Sequence, residues 1–344
     1  MPRIPHGTIL RASTYTPLRG EQFLRDEVPT TAVVGPFDYL FSELQNAADR
    51  LPASPDTLKR LKALGRAMSE KADPANTGSG SAIPAAYTYF GQFVDHDITR
   101  EVARADLPST LDPKLVPLSP EQARSRLGNG RTGELDLDSV YGGKAAYQGE
   151  ALEIGRVSKG PDNATNRRPD GKDDFHDLPR HPRSDVPSMD RAARIGEERN
   201  DENTIVSQLH VAFLRAHNTL VRGGATRDEA RKILVQHYQS IVLHDFLPRL
   251  VSPAAIARAV TGPSLFPAER FFVPLEFAGA AYRFGHSMVR ASYDFNINFN
   301  TRVPGNEATL DRLFTFTAMS GNLGDFDTLP EHWIIEWERL VGTA

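Results

Sequence analysis

The densest group of side chains able to do chemistry lies at Tyr87-Thr-Tyr-Phe-Gly-Gln-Phe-Val-Asp-His-Asp-Ile-Thr99. On a helix turning about 100° per residue, Gln92 and His96 fall about 40° apart, one turn from each other on a single face. Asp95 and Asp97 flank that face, about 200° from one another, so an imidazole enters a pocket while its two neighbouring carboxylates address different surroundings. A lone histidine in this setting is ordinarily a hydrogen-bonded core residue. Four polar groups together on an otherwise apolar helix each require a partner and mark a site instead. Two further segments offer partners. Gly196-Glu-Glu-Arg-Asn-Asp-Glu-Asn203 places Arg199 and Glu202 three residues apart, and Phe284-Gly285-His286 sets a second histidine beside a glycine that permits close approach by something flat. The chemistry open to the chain is that of imidazole, guanidinium, amide and carboxylate. Cysteine is absent, which excludes thiolate nucleophiles, disulfides, zinc fingers and Cys-ligated iron–sulfur clusters.

A second cluster is made of oxygen donors. Thr132, Glu134, Asp136 and Asp138 alternate along an extended loop, and Asp97 leaves its helix away from the His96 face. Oxygen ligands are what a hard cation requires, and the plain alternative is a solvated acidic turn. Other patterns fail on context. Gly128-Asn-Gly-Arg-Thr-Gly133 matches a dinucleotide loop by letter but follows no apolar strand and opens no helix. Asp136-Leu-Asp138 begins like an EF-hand loop, yet Tyr141 and Tyr147 occupy its sixth and twelfth positions. His210 and His217, like His237 and His244, stand seven residues apart with no Glu-x-x-His motif, which favours structural roles. Without a visible secretion signal, Asn163-Ala-Thr165 reads as a chance sequon.

The elements that must position these groups are mainly helices. Leu58, Leu61, Leu64 and Met68 recur at helical spacing, and turn formers follow at 73–81. Pro84 suits the first turn of a helix carrying Tyr87 to about Val102. Proline, glycine and arginine predict loop from Leu107 to Gly133, and a longer, charge-rich loop from Arg156 to Pro187. Ile205, Leu209, Ala212, Phe213, Ala216 and Leu220 predict a wide apolar helical stripe. Another helix is expected from Arg227 to about Leu247, ended by Pro248, and one more around Ala280 to Arg290. Tyr293–Phe299 alternates briefly as a strand would. No internal repeat is present. The reading is a mainly α protein with long irregular connections, an N-terminal extension with short helices at 1–80 and one catalytic domain at 81–344.

The 344 residues carry 40 Lys and Arg against 44 Asp and Glu, a formal charge of −4, which offers no bulk attraction to nucleic acid. No run approaches the roughly 18 apolar residues of a membrane helix. The opening Met1-Pro-Arg-Ile-Pro-His-Gly has no apolar signal region, so location is left between the cytoplasm and export by a non-classical route.

Tyr-Phe-Gly-Gln-Phe-x-Asp-His-Asp, Arg-Asn-Asp-Glu-Asn and Arg-Phe-Gly-His, in that order, resemble the animal-type haem peroxidases, the family of myeloperoxidase and the cyclooxygenases. Leu135-Asp-Leu-Asp-Ser-Val-Tyr-Gly142, Asp177-Leu-Pro-Arg180, Phe213-Leu-Arg-Ala-His-Asn218 and Asp245-Phe-Leu-Pro248 extend the likeness, which suggests a bacterial member. The resemblance implies haem b between two histidines, with His286 as the proximal iron ligand and His96 as the distal base. It implies Arg199 as the distal cation and Gln92 as a hydrogen-bonding neighbour. Asp95 and Glu202 correspond to carboxylates that form ester bonds to haem. Calcium would be held by Asp97, Thr132, Glu134, Asp136 and Asp138, with Glu134 lending its backbone carbonyl and Thr132 its hydroxyl and carbonyl. Asn203 stands where myeloperoxidase has a sulfonium-forming methionine, which argues against efficient chloride oxidation.

The implied reaction is reduction of hydrogen peroxide with oxidation of a small halide, pseudohalide or phenolic donor, as in a response to oxidative stress. A fatty-acid dioxygenase of the same superfamily would need a tyrosine three residues before the proximal histidine, where Arg283 stands. A haem-free scaffold is the alternative without chemistry. The family's proximal histidine donates its ring N–H to an asparagine much later in the chain. No matching motif follows His286, so the resemblance implies that the C-terminal part of the family fold is missing, the chain being a fragment or one half of a split enzyme that a C-terminal polypeptide would complete.

Overall fold

The computed structural model describes residues 35–42, 51–52, 54–68, 82–103, 119–160, 166–186, 189–266, 271–319 and 323–342, and over these it is mainly helical. The turn segment 73–81, residues 107–118 and the sequon at 163–165 lie outside the described residues. Helix α1 spans Pro55–Met68 as the spacing predicts, but Leu58, Leu61 and Leu64 are all more than half exposed, so their stripe meets no core among the described residues.

Helix α2 is Ala86–Ile98, starting two residues after Pro84 and ending four residues before the expected Val102. The early end has a local cause. Thr99 is extended, and both its N–H and its hydroxyl donate to the Asp95 carbonyl at 2.8 Å. The buried Asn129 side chain then takes over, donating to the Ile98 carbonyl at 2.9 Å and accepting from the Arg100 N–H at 2.7 Å. The released chain continues as a strand at Glu101–Ala103, antiparallel to Leu127–Asn129. The segment expected to be loop up to Gly133 therefore contains α3 (Pro120–Arg126) and a strand. The four-stranded sheet runs 101–103, 127–129, 35–38, 273–274, its last pair parallel, so residues 35–38 of the N-terminal segment pair within it.

Beyond the sheet, α4 (Asp138–Tyr141) follows a fully buried Leu137 in the left-handed conformation, φ 57°. The Arg156–Pro187 stretch carries no helix or strand among its described residues, apart from isolated bridges. It is pinned by Arg180, whose guanidinium contacts Asp177 at 2.8 Å and Asp201 at 2.7 Å, all three side chains buried. Helix α5 (Thr204–Arg222) is capped by Asn203, which accepts from the Val206 N–H at 3.0 Å. Helix α6 (Arg227–Ile241) opens with a reciprocal Thr226–Glu229 capping box. It does not run to Leu247: a wide π turn at Val242–Phe246 intervenes and α7 (Leu247–Leu250) resumes the helix. Pro248 falls in that new first turn, where its missing N–H forfeits no bond.

The helix expected near Ala280–Arg290 is a 3-10 segment, Ala281–Met288, after a short α segment at Leu275–Gly279. Of the alternating Tyr293–Phe299 run, only Ser292–Tyr293 is strand. Its asparagines divert the backbone by bonding it directly: Asn296 Oδ1 accepts from the N–H groups of Asn298 and Phe299 at 2.9 and 3.0 Å.

Helix α2 is shared by two apolar clusters. Phe90, Phe93 and Val94 pack with Leu137, Phe213, Tyr238 and Phe246, while Ala86 and Tyr89 pack with Ile205, Phe295, Leu313 and Trp333. Phe93 is fully buried, stacked on Phe213 at 4.6 Å and met edge-on by Tyr238 at 6.2 Å. Phe93→Ala is expected to lower unfolding free energy by about 3–5 kcal/mol. Urea titration followed by far-ultraviolet circular dichroism measures this, and a loss below about 1 kcal/mol would contradict its place at the centre of the core.

Candidate functional site

A cleft of about 990 Å³ opens between α2, the 196–203 segment and the 281–288 turn. Gln92, Asp95 and His96 reach it from α2, Arg199 and Glu202 from the 3-10 turn Glu198–Asp201 and its end, and Arg283 and His286 from the later turn. Gly91 lies on the same helix. A Cβ there would stand 3.2 Å from Phe246, and its carbonyl accepts from the Tyr282 hydroxyl at 2.9 Å, binding the turn to α2. The six residues expected at the haem site thus line one cavity, together with Arg283.

His96 is buried, and its Nδ1 lies 2.8 Å from Oδ1 of Asn200. Burial, reinforced by the positive charge of Arg199, lowers its pKa to about 3, so the ring is neutral at ordinary pH. Arg199 is half-buried and tightly held. Its Nε and Nη2 donate to Glu197 at 2.9 and 2.8 Å, and Nη2 also reaches the carbonyls of His96 and Thr99 at 3.1 and 2.6 Å. Among the described residues, no hydrogen bond uses Nη1. Gln92 donates to Glu202 at 2.6 Å and accepts from Asn203 at 3.0 Å, which fixes the orientation of its amide.

Asp95 is buried, pairs with Arg283 at 3.2 Å and accepts from the Thr99 hydroxyl at 3.1 Å. Burial raises its pKa, against the opposing charges of Arg283 and Arg199. His286 is exposed, and its Nδ1 lies 3.0 Å from the Arg283 carbonyl. A carbonyl can only accept, so Nδ1 carries the proton and Nε2 the lone pair. The sequence reading finds no partner for this N–H because it looks for a side chain; the backbone three residues earlier supplies one. A Cβ on Gly285 or Gly279, both lining the cleft, would meet nothing within 4 Å, so this side has open space for a planar ligand.

The oxygen cluster forms on the other side of α2. Carboxylate oxygens of Asp97, Asp136 and Asp138 lie within 4.8 Å of one another. Asp97 accepts from the backbone N–H groups of Leu137 and Ser139 at 3.2 and 3.0 Å. Thr132 donates its hydroxyl to Asp136 at 3.2 Å and accepts from the Glu134 N–H at 3.1 Å. Burial, then the neighbouring Asp136 charge, pushes the Asp97 carboxyl up to about 7, and burial raises Asp136 and Asp138 as well. Three carboxylates so placed are poor neighbours without a cation.

Three residues outside the sequence-derived set complete the arrangement. Glu197, fully buried, binds Arg199 and also Arg131, whose guanidinium further reaches the carbonyls of Gly196 and Asp138 at 3.1 and 3.4 Å and Asp138 Oδ1 at 3.6 Å. Asn200 bridges His96 to His210, 3.0 Å from its Nδ1. The charge density of Gly196–Asn203 is the local signal for Glu197 and Asn200, and Arg131 has none. His217 keeps a structural role, between the Tyr141 hydroxyl at 3.0 Å and the Glu150 carbonyl at 3.1 Å, and His237 bonds its own helix.

The chain is similar to several peroxidases. It is 33 % identical over 128 residues to a peroxidase-like protein of Margaritifera margaritifera, covering 31 % of this chain and 16 % of that protein. It is 25 % identical over 180 residues to a chorion peroxidase of Aedes aegypti, 47 % and 22 % of the two chains. It is 30 % identical over 183 residues to a thyroid peroxidase of Sus scrofa, 47 % and 19 % of the two. The chain therefore spans about a fifth of the length of these relatives. The solved structure of peroxidase A from Dictyostelium discoideum, 16 % identical, superposes with a TM-score of 0.42 over 77 % of this chain and 57 % of that one. The sequence model of the family described as Animal haem peroxidase matches residues 117–329, well over half of the chain and downstream of the His96 helix. By that match, this chain belongs to the animal haem peroxidase family.

Proposed function

We propose that this chain carries the haem-binding centre of a peroxidase that reduces hydrogen peroxide and oxidises a small donor. The observation that carries the reading is the convergence on one cleft of His96, Arg199 and Gln92 with His286, whose Nε2 is the unprotonated nitrogen. The residues fit haem b. His286 would hold the iron through Nε2, a neutral imidazole being a common haem ligand. The open flank at Gly285 and Gly279 gives a macrocycle room, and Asp95 and Glu202 would bind it as ester-forming carboxylates. When bound, haem supplies the redox-active iron at which peroxide is reduced and the donor oxidised.

His96 accepts the proton of hydrogen peroxide on Nε2 and returns it to the departing oxygen, acting as base and then acid. Arg199, immobilised by Glu197, stabilises the negative charge that develops as the O–O bond breaks. Gln92, with both ends of its amide engaged, orients a hydrogen bond beside His96. The dioxygenase alternative lacks its radical tyrosine: Arg283 pairs with Asp95, and the Tyr282 phenol is engaged by the Gly91 carbonyl. Iodide, bromide, thiocyanate and phenols are the donor classes to test. Calcium would sit among Asp97, Asp136 and Asp138 with oxygens of Thr132 and Glu134, clamping α2 against the 132–138 loop.

His96→Ala should keep the Soret band of reconstituted protein and slow its reaction with peroxide by about 100-fold or more in stopped flow. His286→Ala should lose the band. Failure of the unaltered chain to take up haem would leave the scaffold reading standing.

After peroxide treatment, acid–butanone should fail to extract the haem, while Asp95→Ala combined with Glu202→Ala should release it. Free extraction from the unaltered protein would exclude the ester links.

Calcium should raise the melting temperature, and more at pH 8 than at pH 5. A carboxyl whose folded pKa is raised, as Asp97 is to about 7, contributes stability at low pH that is lost as pH rises through that value. A cation removes this loss by favouring the ionised form. Equal melting temperatures with calcium and with chelator at pH 8 would contradict the metal assignment.

A further inference from the structure

One side chain joins two buried histidines. Asn200 presents Oδ1 to Nδ1 of His96 at 2.8 Å and Nδ2 to Nδ1 of His210 at 3.0 Å. His96 is 5 % exposed, and Asn200 and His210 are fully buried. Burial disfavours the charged form of an imidazole, so both rings are neutral. A neutral imidazole has one N–H and one lone pair, and an amide has an oxygen that only accepts and a nitrogen that only donates. Set between two neutral rings, the amide forces them into opposite tautomers. The ring facing its oxygen must present an N–H, and the ring facing its nitrogen must present a lone pair.

His210 has little other polar work. Among the described residues its buried Nε2 has no hydrogen-bond partner, so its contact with Asn200 is the polar one that accounts for an imidazole on this face of α5. A position that needed only to fill space would take an apolar residue, because a buried polar atom without a partner is destabilising. The Phe93 ring meets His210 edge-on at 6.2 Å and restrains its plane. Asn200 is anchored in turn by its own N–H, which donates to the Glu197 carbonyl at 3.1 Å.

We propose that Asn200, and His210 behind it, are positioning residues that hold His96 as the Nδ1–H tautomer, leaving Nε2 as the lone-pair atom of a ring that lines the cleft. The inference rests on the reading of His96 as the proton-accepting group, and it assigns that role to one nitrogen. Neither positioning residue touches peroxide; they act through His96.

The test uses the full chain labelled with 15N-histidine. Without haem, long-range 15N–1H correlation at pH 7 should find His96 protonated on Nδ1 and His210 on Nε2. In Asn200→Leu, His96 should populate both tautomers. Asn200→Asp keeps an acceptor and should retain Nδ1–H on His96. In haem-loaded protein, Asn200→Leu should slow the peroxide reaction by about tenfold or more with the Soret band unchanged, and Asn200→Asp should restore most of that loss. His96 protonated on Nε2 in the unaltered chain, or unshifted in Asn200→Leu, overturns the proposal. Should Asn200→Leu fail to fold, His210→Gln decides: its carboxamide oxygen can accept from Asn200, so His96 should keep its tautomer, whereas His210→Leu should relax it. A chain that takes up no haem refutes the peroxidase reading while the tautomer measurement still decides this one.

Discussion

A single buried carboxylate organises the half of the cleft that holds Arg199 and His96. Glu197 has no solvent exposure, yet it accepts the Arg199 N–H at 2.9 Å together with that residue's Nε and Nη2, and binds Arg131. Burial alone would raise its pKa. The hydrogen bonds and charge of Arg199, with the charge of Arg131, overcome this and hold it well below the usual carboxylate range. Such a group is stable only while its partners stay in place, because removing one partner from a buried ion pair leaves an uncompensated charge. The placement of Arg199 and the packing of the loop before it are therefore one requirement. Arg131 extends the same requirement to Asp138, so the oxygen cluster and the guanidinium in the cleft share a rigid connection through two side chains.

Helix α2 distributes the chemistry by angle. Residues 95, 96 and 97 leave the helix about 100° apart. Asp95 meets Arg283 and Thr99, His96 meets Asn200, and Asp97 meets the backbone of Leu137 and Ser139. The apolar residues between these polar ones fill two separate cores. The helix thus cannot turn or slide without disturbing both cores and all three polar partners. Its early end at Ile98, secured by Asn129, frees the following residues for the sheet.

What could be read from the sequence was what is local. The His96 face, the α5 stripe and the alternating oxygens of 132–138 depend on spacings of two to four residues, and the structure retains them. The missed features depend on distant partners. Leu127–Asn129 is a strand because residues 35–38 and 101–103 flank it, and neither neighbour is visible in its own glycine-rich composition. Glu197 and Arg131 meet across 66 residues, and His96 and Asn200 across 104. The stripe of α1 shows the reverse failure, since helical spacing marks an apolar face without saying what covers it. Pro248 misleads because a π turn before it supplies the change of register that lets a helix resume.

The loop around Asp177 and Arg180 has a dynamic consequence. It has no helix or strand among its described residues, and its backbone is held instead by scattered bonds such as those from the Asp177 N–H to the Gly155 carbonyl at 3.1 Å and from the His181 N–H to the Ala192 carbonyl at 2.9 Å. Its anchor nevertheless lies deep in the protein, where Arg180 clasps Asp177 and Asp201, and Asp177 accepts from the Leu329 N–H at 2.9 Å. Asp201 stands directly between Asn200 and Glu202. Local unfolding of this loop would withdraw Arg180 and leave Asp201 buried without its counter-charge, so opening the loop and loosening the Glu198–Asp201 turn form one cooperative unit. A segment without helix or strand is thereby coupled to the turn that carries Arg199 and Glu202.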